Sequence, residues 1–157
     1  MSNSITEIVE APKELTFELI MGLEKIDEKQ YNLLAKMQLD EGAYYGSPHS
    51  KNSFKGLFNI EIDENDQLIA GDTLIETPFP EEVDDQFSDE KVRWVNEETN
   101  YKQSITLNAT EDFVVNGVVS FVVEPVCSRY EVTFEIVSQS GELTISQAKP
   151  IVANLSN

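Results

Sequence analysis

Along this chain the hydrophobic positions recur at period two in short runs. In ELTFEL, which begins at Glu14, Leu15, Phe17 and Leu19 alternate with polar residues, and in YEVTFEIV, Val132, Phe134 and Ile136 do the same. Such alternation marks a strand with one buried face. VRWV, YKQSITLNA with Ile105 and Leu107, and VVSFVV are further strand-like runs, and GELTIS reads as a last edge strand or a short helix. YNLLAKMQL fits two periods: Leu33, Leu34 and Met37 suit a helix face, whereas Tyr31, Leu33, Ala35, Met37 and Leu39 alternate. Its length and its strand-like neighbours favour a strand. FKGLFNIEI and QLIAGDTLI flank DEND, which predicts a hairpin with Leu57, Asn59 and Glu61 on one face and Phe58, Ile60 and Ile62 on the other.

Eight or so short strands with turn signals between them, and no strong helix, predict an all-β fold, an antiparallel β-sandwich. The polar residues 1–13, with Pro12 near their end, read as an N-terminal arm, and 14–157 as a single domain. A chain of 157 residues is long enough for one core and short for two. DEGAYYGSPHSKNS and TPFPEEVDDQFSDEK are loops by their Gly, Pro, Ser and Asn content. Tyr44 and Tyr45 are adjacent in the first loop, so they are not both expected to be buried, and one is free to line a surface site. Phe87 stands inside the acidic second loop, where an aromatic ring packs onto something.

Charge narrows the partners. The formal net charge of −18 repels phosphate backbones and anionic lipid, so no nucleic acid is expected. No apolar run approaches the roughly 20 residues needed to cross a bilayer, so no membrane insertion of this chain is expected. The candidate chemistry is thin. Asp63, Asn65 and Gln67 begin like a calcium loop, but Leu68 replaces the turn glycine and Leu74 the final glutamate, so that reading fails. The acidic run from Glu81 to Glu90 reads as a solvated face. His49 is the single histidine and reads as a plain surface residue. Neither a metal site nor a cofactor is expected, because the chain has no glycine-rich phosphate cradle and no CxxC. Trp94, between Val92 and Val95, is expected in the core.

Cys127 is the only cysteine, so it has no internal disulfide partner. By composition alone, a lone cysteine between strands is a small buried hydrophobe. Pro125 before it and Ser128 and Arg129 after it place it instead in a turn, where the arginine would favour a thiolate.

Around that turn the chain resembles the N-terminal periplasmic domain of the transmembrane thiol:disulfide reductase DsbD and related stand-alone DsbD-like domains. The similarity runs from about Pro12 to Ile136. Gly117, Val119 and Phe121 match the family strand G-x-V-x-Y-Q-x-C, and Cys127, Val132 and Phe134 match the second cysteine and the strand after it. Asp84, Asp85, Gln86 and Phe87 resemble the D-E-x-F loop that caps the cysteine pair, and Gly42, Tyr44 and Ser47 match a Gly-aromatic loop near the active site. Ala43 and Gly46 depart from that loop. At the first cysteine the chain has Glu124, and the loop to Cys127 is short.

The resemblance implies an immunoglobulin-like sandwich in the periplasm, with a signal peptide absent from the numbered chain, and a protein partner of thioredoxin-like kind. It implies Cys127 as the reacting thiol and a partner-facing surface of Phe87, Asp84, Asp85, Tyr44, Tyr45, Glu124 and Arg129. With one cysteine the dithiol cycle does not close within the chain, so an accessory or protein-binding module is the first expectation. Whether the chain is an enzyme stays open. The alternatives are single-cysteine exchange with a thioredoxin-like partner, and a structural sandwich with Cys127 buried.

Overall fold

The computed structural model of the chain describes residues 17–50, 56–84 and 91–153. The N-terminal arm, Leu15, Asp85 and Phe87 lie outside them. Every regular element among the described residues is a β-strand. Strands β1 (Phe17–Lys25), β2 (Gln30–Leu39), β8 (Thr99–Leu107) and β5 (Leu68–Thr77) form one antiparallel sheet in that spatial order. Strands β11 (Glu142–Gln147), β10 (Ser128–Gln139), β9 (Phe113–Val123) and β4 (Asn59–Ile62) form the second, with β12 (Ile151–Ala153) beside β11 on the same edge of β10. A small third sheet joins β3 (Tyr45–Gly46), β7 (Lys91–Val95) and β6 (Glu82–Asp84). The expected all-β, antiparallel sandwich is therefore present.

Period two does the work the sequence assigns to it. YNLLAKMQL is strand β2, and Tyr31, Leu33, Ala35 and Met37 are all buried while the residues between them are partly open. Val115, Val119, Phe121 and Val123 of β9 and Tyr130, Val132, Phe134 and Ile136 of β10 meet them across the core. Its centre is aromatic: Phe58 stacks on Tyr101 at 4.2 Å, and Phe17 meets Phe121 and Tyr130 edge-on at 4.9 and 4.7 Å. Such contacts add about 1 kcal/mol each beyond the area they bury.

The hairpin expected around DEND is not formed. β4 pairs with β9 and β5 with β8, so the segment between them carries the chain from one sheet to the other. Asn65 turns it locally: its side-chain carbonyl accepts from the backbone N–H groups of Gln67 and Leu68 at 2.8 and 2.7 Å. A turn signal fixes a change of direction, and the partner of each strand is chosen by its buried face. Phe58, Ile60 and Ile62 still share one face, and all three pack into the core. GELTIS is the edge strand β11, reached through Ser140 and Gly141, which both have positive φ as a two-residue hairpin turn requires.

Gly117 has a packing role. A Cβ there would stand 2.3 Å from Cζ of Phe134 and 2.7 Å from the Glu61 carbonyl oxygen. The bare backbone lets Phe134 lie across β9 while β4 pairs on the other side. Gly117→Ala is expected to lower stability by about 2 kcal/mol, through displacement of Phe134 or β4. Urea unfolding measures this, and a midpoint unchanged from the parent would contradict the packing account.

Candidate functional site

β9 and β10 pair without interruption down to Val123 and Ser128, which leaves Glu124, Pro125, Val126 and Cys127 to reverse the chain. Within this link Cys127 is left-handed, with φ of 56°, a conformation that costs a non-glycine residue about 1–2 kcal/mol. The thiol is exposed. The reading of Cys127 as a buried core residue is thereby corrected: a turn tip lies beyond the last inward-facing pair, where no opposing sheet covers it.

Glu124 begins the turn and is held by the loop before β3. Tyr44 N–H donates to the Glu124 carbonyl at 3.1 Å, and Glu124 N–H donates to the Tyr44 carbonyl at 2.7 Å. The Glu124 carboxyl is partly buried, and that desolvation raises its pKa above the ordinary value of 4.5. Tyr44 is half-buried and meets Trp94 edge-on at 5.0 Å. Trp94 is half-buried, on the rim of the fold and not in the core as expected. The thiol turn, Glu124, Tyr44 and Trp94 thus form one end of the sandwich.

Other expected site residues are elsewhere. Tyr45 is 0% exposed, so its side chain is unavailable to a partner. In β3 it packs inward against Phe58, whereas Tyr44, just before the strand, is half-buried. Asp84 ends β6 and is exposed, but its carboxylate is engaged by the ammonium of Lys91 across the β6–β7 ribbon. Arg129 is half-buried, with Nε 3.9 Å from a carboxylate oxygen of Glu131, so its cation has a partner within its own strand. Asp85 and Phe87, the core of the cap-like loop, lie outside the described residues. No group of three or more His, Cys, Asp or Glu among the described residues is arranged to hold a metal ion.

One polar cluster escapes sequence reading. Glu76 is 5% exposed and accepts hydrogen bonds from Ser47 Oγ at 2.6 Å and Tyr101 OH at 2.7 Å. Because the Tyr101 proton is committed to the carboxylate, Tyr45 donates to Tyr101 at 2.8 Å. Burial raises the pKa of both phenols, so both hydroxyls stay protonated and remain donors. His49 is also drawn in, contrary to its reading as a plain surface residue. Its backbone N–H donates to Ser47 Oγ at 3.0 Å, and its Nε2 donates to the Leu74 carbonyl at 2.7 Å. The register that pairs Glu76 with Tyr101 puts both inside, and the available signal was the alternation Leu74, Glu76 along β5.

Tyr101→Phe removes one of two donors to a buried carboxylate and is expected to lower stability by about 2 kcal/mol, whereas Tyr45→Phe loses a neutral bond worth about 1 kcal/mol. Equal losses in urea unfolding would refute this order. For Glu124 the folded state binds its proton more tightly than the unfolded chain does. Stability therefore falls as pH rises from 4.5 through the higher folded value. Glu124→Gln is expected to unfold at higher urea than the parent at pH 7, with the advantage vanishing at the acid end. No advantage at pH 7 would show that burial of the carboxyl is not unfavourable.

No family profile matches the chain, and no curated protein does. Among solved structures it is similar to the N-terminal domain of DsbD from Neisseria meningitidis in the reduced form, at 14% identity over 88% of this chain and 95% of that one, with a TM-score of 0.48.

Proposed function

We propose that the chain is a DsbD-like domain that binds a protein partner at the end of the sandwich carrying Cys127, Glu124, Tyr44 and Trp94, and that it runs no dithiol cycle of its own. The observation that carries this reading is the pair of backbone hydrogen bonds between Tyr44 and Glu124. They tie the loop of the half-buried Tyr44 to an exposed thiol turn, which brings two distant stretches of sequence together at one surface. The resemblance adds Asp85 and Phe87, outside the described residues, as partner-facing candidates, and the reading carries with it a periplasmic location. With one thiol in the chain, a mixed disulfide is resolved only by a second thiol from outside.

A second reading is favoured by the exposure of Cys127. Its thiolate attacks the disulfide of a thioredoxin-like partner, one partner sulfur leaves as thiolate, and the partner's own cysteine later displaces Cys127. Two measurements separate the readings. Partner capture from a periplasmic extract is expected to fall at least tenfold in Tyr44→Ala combined with Cys127→Ala, and capture at the parent level would remove the proposed surface. Cys127→Ser alone leaves capture intact on the first reading and abolishes it under oxidising conditions on the second. On either reading the native thiol reacts with a disulfide reagent about as fast as in urea. Labelling that requires denaturant would defeat both.

A further inference from the structure

The β6–β7 ribbon carries an open groove on one face, next to the surface described above but not part of the core. Its volume is about 520 Å³, and Phe79, Val83 and Trp94 give it apolar walls. Phe79 is 55% and Val83 42% exposed. Two large apolar side chains left open beside an indole are more than the scattered surface hydrophobes every protein has. Glu81 and Glu97 also line the groove, both exposed, and neither has an ion pair among the described residues.

The pose of Phe79 is set from behind. The guanidinium of Arg93 lies 4.5 Å from the ring centroid and donates through Nη1 to the Pro80 carbonyl at 2.6 Å, and the His49 ring stands 5.3 Å away. Arg93 is thus committed to the ribbon itself, and the groove presents carboxylates and aromatic carbon. β6 has a strand neighbour on one side only among the described residues, so an extended chain fits along it.

We infer that this groove docks an extended segment of a partner protein in which a lysine or arginine stands beside an apolar side chain. The apolar residue covers Phe79 and Val83, and the cation meets the Glu81 and Glu97 carboxylates. The net charge of −18 draws such a segment in from a distance. The inference rests on the protein-binding reading above and names the chemistry of the partner. Tyr44, in contact with Trp94, joins the groove to the thiol turn.

Trp94 is the only tryptophan, so its emission reports on this groove and on the adjoining Tyr44 contact. The probe is a short synthetic peptide with leucine–lysine pairs in a glycine–serine background, and its twin carries glutamate for lysine. The lysine peptide is expected to shift Trp94 emission saturably, and the glutamate twin is not. Glu81→Lys with Glu97→Lys is expected to weaken binding about tenfold. Glu18→Lys with Glu135→Lys makes the same change in net charge at exposed positions on other strands, and is expected to weaken it less than twofold. Absence of any Trp94 shift, equal binding of the twin, or equal weakening by the two charge-reversed pairs would overturn the inference. Loss of capture in Tyr44→Ala with Cys127→Ala while the lysine peptide still binds the parent would leave the groove standing. Capture at the parent level despite Glu81→Lys with Glu97→Lys would remove the groove from the partner surface and leave the thiol end in place.

Discussion

The pairing of β9 with β10 is the constraint on which the rest depends. Both strands lie in the interior of their sheet, with β4 on one side and β11 and β12 on the other, and their inward residues supply much of the core. Because the ladder runs unbroken to Val123 and Ser128, the reversal is confined to four residues, and Cys127 among them takes the left-handed backbone. The thiol is exposed because the sheet beneath it is complete. Exposure of the thiol is therefore a property of where the ladder stops.

Much of this architecture was legible in the sequence, and the failures have identifiable causes. Alternation in YNLLAKMQL and YEVTFEIV located β2 and β10 and named their buried residues, since a half-buried strand leaves a period that composition cannot hide. What alternation does not encode is which strand a given strand pairs with, and β4 and β5 show this: both were recognisable, yet they belong to opposite sheets. The site divided in the same way. Proline and polar neighbours placed Cys127 in a turn, and adjacency argued that Tyr44 and Tyr45 are not both buried, but the sequence could not say which is. The answer came from β3, a strand of two residues, too short to show a period.

The cluster around Glu76 was invisible for a different reason. A glutamate at a core position contradicts the binary pattern, and read locally it looks like part of an exposed run. Its burial is tolerated because two hydroxyl protons reach its two oxygens and because Tyr45 completes the chain of donors. Three distant stretches, from Ser47, Glu76 and Tyr101, must be folded together before any member is satisfied. Such a cluster fixes the alignment of β3, β5 and β8 more sharply than interchangeable aliphatic contacts can, since a slip of one residue would strand a charge.

β5 is an outer strand of its sheet and carries exposed Ile69 and Ile75, the composition of a surface on which another chain could polymerise. Between Ala70 and Leu74, however, its register with β8 breaks, and the strand bulges there with Gly71, Asp72 and Thr73 out of step. An interrupted row of backbone donors and acceptors offers an incoming strand no straight template. This irregularity, which contributes nothing to the core, guards the protein against edge-to-edge aggregation where its apolar surface would otherwise invite it.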